Sequence, residues 1–107
     1  MGDSALSYIE AGMSVAHGRA AFLAADIANA RTPGFRPVDL KLVTASRDGG
    51  ASGLRAVPVE VEAHGTVGVI EYAMTAQAKN SMNYRALADQ ERAMLREFRT
   101  VAEESRR

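Results

Sequence analysis

Ala28-Asn29-Ala30-Arg31-Thr32-Pro33-Gly34-Phe35 marks the point where a long apolar helical repeat stops. Upstream, Leu6, Ile9, Met13, Ala16, Ala20, Leu23 and Ile27 are spaced alternately three and four apart. That spacing sets one residue per turn along a single narrow stripe. Thr32-Pro33-Gly34 then ends the pattern. Proline disfavours helical geometry at the residue before it, and glycine permits backbone angles that other residues avoid. The stretch therefore predicts a helix over residues 5–29, with a seam and a defined exit, and with Ser4 as its N-cap. Alanine is dense in this helix, which favours helical structure and close backbone approach. Gly12 and Gly18 each weaken it by about 1 kcal/mol relative to alanine, but small residues on a seam let a neighbour come near.

Residues 30–68 read as an irregular or extended middle. Arg47-Asp48-Gly49-Gly50-Ala51-Ser52-Gly53 is polar and glycine-rich and predicts a flexible loop over 47–53. On its far side Val57, Val59 and Val61 alternate with Pro58, Glu60 and Glu62; on its near side Val38, Leu40 and Leu42 alternate with Asp39 and Lys41. A period of two predicts short strands that pair across the loop, with Pro58 confined to an edge because it has no N–H to donate. A second, longer helix is expected over residues 70–104. Tyr84, Leu87, Ala88, Met94, Leu95, Phe98, Val101 and Ala102 fall at helical spacing, Ile70, Met74 and Ala78 continue a stripe upstream, and Glu91 interrupts the register. Arg85, Asp89, Arg92, Arg96 and Arg99 form its outer face, and Glu103 stands four residues before Arg107, the better orientation for an ion pair. At about 1.5 Å per residue the second helix is roughly 50 Å long and the first nearer 40 Å. The expected fold is mainly α, in one domain spanning residues 1–107. Its two long helices pack as an antiparallel coiled-coil-like hairpin, with a short irregular or β segment between them.

The bulk composition narrows function by exclusion. The 107 residues carry 13 basic and 13 acidic side chains, which argues against nucleic-acid binding driven by net charge. Cysteine is absent, so disulfides and thiolate metal sites are ruled out. No apolar run approaches the roughly 20 residues that span a bilayer. Met1-Gly2-Asp3-Ser4 has neither a basic n-region nor a following apolar h-region, so a cleaved signal is not expected. His17 and His64 stand isolated, Glu60 and Glu62 read as a solvated strand face, and Met13, Met74, Met82 and Met94 read as packing residues. The sequence names no catalytic, cofactor-binding or metal-binding residue.

The stretch from Leu23 to Phe35 resembles the N-terminal signature of bacterial flagellar rod, hook and related axial proteins, L-x-x-x-N-I-A-N-x-x-T-P-G-[YF]. Ile27, Ala28, Asn29, Thr32, Pro33, Gly34 and Phe35 match as they stand. Asp26 departs, because the family usually has asparagine there; aspartate is isosteric but charged, and it cannot donate. Asn80-Ser81-Met82-Asn83-Tyr84-Arg85-Ala86-Leu87 looks like the N-S-x-x-Y-x-A-L element of the proximal-rod, FlgB-type members, with Asn80, Tyr84 and Leu87 as its marks. The two matches cover both helices, and residues 41–66 match nothing in the family. The resemblance implies a non-enzymatic structural subunit of the flagellar basal body. It leaves the cytoplasm through the flagellar type III export apparatus without a cleaved signal and forms the proximal rod in the periplasmic space. Its implied partners are other copies of itself, FliE, FlgC and FlgF, with the export apparatus and the MS ring beneath, and neither nucleic acid nor a small-molecule substrate. The residues expected to pack between subunits are Leu6, Ile9, Met13, Leu23, Ile27, Met94, Leu95, Phe98 and Val101, on seams too extended for one hairpin to cover fully. Phe35 is the expected anchor against a neighbour, and Asn29 is expected to cap the helix end or to bond across a subunit boundary. The competing reading is a soluble helical adaptor or export chaperone that binds one flagellar or secretion partner and stops. A hydrolase using His64 and Glu62 is a third.

Overall fold

The structure, a computed structural model, describes residues 2–46 and 52–106. It contains a helix α1 (Gly2–Ala28), strands β1 (Val38–Ser46) and β2 (Ser52–Glu60), and a helix α2 (Gly65–Ser105). The expected architecture is present: two long helices pack antiparallel, with a short two-stranded antiparallel sheet between them in sequence. The strands pair from Val38 with Glu60 to Ser46 with Ser52, and Pro58 faces Leu40. Most of the predicted loop lies outside the described residues. Its last two members, Ser52 and Gly53, belong to β2. The expected Glu103–Arg107 pair involves a residue outside the described range as well.

Both helices begin earlier than expected. Ser4 lies inside α1 and is not its N-cap. The 41-residue α2 starts five residues before the predicted position and runs straight through Gly68. A helical glycine costs about 1 kcal/mol, and the burial of Val69 and Ala73 against α1 on the same first turns outweighs that. At about 1.5 Å per residue α2 is roughly 61 Å long, which accounts for the 65 Å long axis of the molecule. The radius of gyration is 18.1 Å, against about 13 Å for a compact domain of this length. The chain is therefore a slender body with a thin core.

That core is a seam of small residues. Ile9, Ala16, Leu23 and Ala30 are buried at intervals of seven along the first half of the chain, and Val69, Ala73, Ala76 and Asn80 are buried on α2 at intervals of four and three. The upstream stripe expected on α2 was Ile70, Met74 and Ala78. The structure corrects this: Ile70 is half-buried, Met74 and Ala78 are exposed, and Val69, Ala73 and Ala76 form the buried stripe instead. Alanine allows the closer backbone approach, so the alanine face packs inward although the methionine face is the more apolar. Gly12 serves the same approach, since a Cβ placed on it stands 3.1 Å from Leu87 Cδ1. Gly18 lies equally close to Leu40 on β1. Gly12→Val is expected to lower stability by about 1–3 kcal/mol through overpacking, read as a lower urea midpoint. Adding Leu87→Ala, which removes the atoms it meets, should return part of the loss.

Candidate functional site

Three elements meet at one carboxylate. Arg19 of α1 donates from Nε and Nη2 to the two oxygens of Asp39 on β1, each at 2.9 Å. The Tyr72 hydroxyl of α2 donates to Asp39 Oδ2 at 2.6 Å, and the Leu40 N–H donates to Oδ1 at 2.7 Å. Asp39 is only 4% exposed. Burial by itself lifts its carboxyl, but the bonds from Arg19, Tyr72 and the Leu40 N–H together outweigh burial and hold it below the ordinary carboxylate range. The same bond raises Arg19, while burial and then the bond to Asp39 raise Tyr72. Sequence reading missed this cluster because the period-two pattern sets Asp39 on the face opposite Val38, Leu40 and Leu42 and carries no sign that this face is buried too. The strand meets α1 with both faces at this point: Leu40 lies over Gly18 while Asp39 reaches Arg19.

A second carboxylate sits in the last turn of α1. Asp26, 2% exposed, accepts from the Val38 N–H at 3.0 Å and ties the helix end to the start of β1. Its other oxygen is buried without a partner. Burial dominates here, the Val38 bond only partly offsets it, and the charge of Asp39 adds to it, so this carboxyl is raised. Between the two lies the exit stretch. Asn29 closes α1 with its own N–H and its side-chain amide, both donating to the Ala25 carbonyl, at 3.0 and 2.9 Å. The Thr32 hydroxyl donates to Asn29 Oδ1 at 3.3 Å. The Phe35 N–H then donates to the Thr32 carbonyl across a turn with Pro33 and Gly34 at its centre, where Gly34 has φ 75°. A positive angle at the third turn residue calls for glycine, and proline presets the second. Phe35 is half-buried in the chain itself.

The expected site residues divide by position. Asn80 is buried, and its amide donates to the Ala16 carbonyl at 2.7 Å; Leu87 is half-buried by Gly12, and Tyr84 is exposed. Of the expected subunit-packing residues, Ile9 and Leu23 are covered within the chain, with Leu23 at 0% exposure. Leu6, Met13 and Met94 are half-buried. The α1 seam is covered in part: Ile9, Ala16 and Leu23 are buried, while Leu6 and Met13 stay half-buried. The far end of the α2 seam is uncovered, with Leu95, Phe98 and Val101 exposed, Val101 at 57%. Ile27 lies beside the buried seam at 38% exposure. His17, Glu62 and His64 are exposed. Among the described residues no three acidic or histidine side chains converge on a metal site, and no helix is long and apolar enough to cross a membrane.

Comparison with models of known protein families, with curated proteins and with solved structures found no match.

The two carboxylates give stability opposite dependences on pH. A depressed carboxyl stabilises the fold above the ordinary carboxylate pKa, and this is lost as pH falls through its depressed value. A raised one favours the fold below the ordinary pKa, and this is lost as pH rises through its raised value. Asp39→Asn should therefore cost about 3 kcal/mol at neutral pH, the low end for a broken buried pair because Arg19 is partly exposed. The deficit should shrink in acid. Asp26→Asn should raise the urea midpoint at neutral pH, with the advantage fading as pH falls into the ordinary carboxylate range. Urea melts of both variants at a series of pH values check the two signs together.

Proposed function

We propose that this chain is a structural subunit of the bacterial flagellar basal body, of the FlgB type, forming the proximal rod by packing its terminal helices against neighbouring axial subunits. The observation that carries the reading is the joint occurrence of the Ile27–Phe35 stretch at the exit of α1 and the Asn80–Leu87 element on α2, the two helices packing together. The bonding of Asn29, Thr32, Gly34 and Asn80 gives the motif residues physical work. The first three build the exit turn, and Asn80 pins the helix register. The apolar residues left on α2 supply the surface that assembly requires, since exposed patches of this kind mark interaction sites. On this reading the partners are other copies, FliE, FlgC and FlgF, and the chain reaches the periplasmic rod through the flagellar export apparatus by way of the MS ring. It needs no catalytic group.

An adaptor or export chaperone would use the same apolar surface to hold one partner. The two readings separate on mixing the purified chain with FliE and FlgC and following sedimentation and electron microscopy. Open-ended assemblies are expected for a rod subunit; a closed complex of fixed size favours the adaptor. Ile27→Asp with Phe98→Asp, both at exposed positions, should abolish assembly while leaving the far-UV circular dichroism unchanged. Normal assembly by that double variant would overturn the proposal. Leu23 is unsuitable for this test, because a charge at a fully buried position unfolds the chain.

A further inference from the structure

A two-stranded sheet has two outer edges, and each turns backbone N–H and C=O groups outward at every second residue. The register fixes which residues these are. The Val61 N–H donates to the Pro37 carbonyl at 3.0 Å, so Pro37 and Val61 form a hydrogen-bonded pair. Bonded and non-bonded pairs alternate along an antiparallel ladder. Asp39 with Val59 and Lys41 with Val57 are therefore bonded pairs. Val38, Leu40 and Leu42 on β1, and Glu60, Pro58 and Ala56 on β2, turn their backbone groups outward. β1 lies against α1 while β2 packs chiefly on β1, so neither helix shields the outer edge of β2.

We infer that Asp26, Asp39 and Pro58 guard these edges and bar a third strand from joining the sheet. On β1 the outward N–H of Val38 donates to Asp26 Oδ1 at 3.0 Å, and that of Leu40 donates to Asp39 Oδ1 at 2.7 Å. An incoming strand would have to displace two carboxylates from these bonds, which are stronger than neutral ones. On β2 the exposed Pro58 holds the outward position between Ala56 and Glu60. Its ring stands where the N–H would be, so an added strand loses that bond and its own carbonyl is left without a donor. At a bonded position proline would remove a bond from the hairpin itself. Opposite Leu40, in a non-bonded pair, it removes none. The placement blocks addition and leaves the ladder whole. The partner excluded is any extended segment, the β2 edge of a second copy included. Contacts between helices are untouched, so the inference stands apart from the rod reading.

Pro58→Val restores the N–H on a strand-favouring side chain. At matched concentration this variant should self-associate several-fold more than the native chain in sedimentation equilibrium. It should also gain the low-frequency amide I infrared band of strands paired between molecules. Pro58→Val combined with Ala56→Pro moves the block to the next outward position and should return native behaviour. A Pro58→Val chain with native circular dichroism that associates no more than the native chain overturns the inference, and so does one that associates without the strand band. Amide hydrogen exchange tests the β1 edge on the unaltered protein. Val38 and Leu40 should exchange several-fold more slowly than Ala56, although all three N–H groups point outward. Equal rates at the three would overturn the guard on β1.

Discussion

The Asp39 carboxylate accepts four hydrogen bonds, and these hold together elements that apolar contact alone would leave loosely arranged. Arg19 brings α1, Tyr72 brings α2, and Asp39 with Leu40 anchors β1. The planar fork of arginine on a carboxylate admits one relative orientation, unlike a greasy surface that tolerates sliding. A buried ion pair is weak evidence for net stability. Its weight here lies in geometry. Among the described residues only Leu23 of the large side chains is fully buried, so the core has few shapes that interlock, and polar contacts must specify what packing cannot.

The same logic applies along the helix pair. A seam of Ala16, Ala73 and Ala76 is nearly featureless, and one alanine pairs with a helix as well as the next. The register is set where side chains reach backbone across the seam. Asn80 donates to the Ala16 carbonyl, and Gln77 donates to the Ala20 carbonyl at 3.1 Å. A single buried polar residue is the best-attested device for fixing the register of packed helices. Asn80 thereby links the C-terminal sequence element to a structural task that leucine, at the same position, would not perform.

What could be read from the residues follows from how local each signal is. The α1 seam, the exit at Thr32-Pro33-Gly34 and the pairing of Val38–Leu42 with Val57–Val59 all rest on short-range periodicity or turn chemistry, and each is present. Asp39 was illegible because its burial depends on the angle at which β1 meets α1, a relation between segments with no mark in either. The choice between the alanine and methionine faces of α2 was illegible for a related reason. Both recur at helical spacing, and only the separation of the two backbones selects the smaller. Asp26 was visible as a departure from a pattern, but its orphaned oxygen appears only once Val38 is placed beside it.

The two faces of α2 also explain why the fold leaves apolar surface behind. Val67 and Met74 on one side, at 68% and 60% exposure, and Leu95 and Phe98 towards the far end are as hydrophobic as anything in the core. A helix with apolar residues on more than one side needs more than one neighbour. α1 can lie against only one stripe, and the hairpin packs against α1, where Gly18 and Arg19 receive it, and leaves the outer face of α2 bare. No rearrangement of these four elements covers every stripe, because covering Met74 would expose Ala73 and Ala76 and break the Asn80 and Gln77 bonds. The uncovered surface is therefore a consequence of the topology of these four elements.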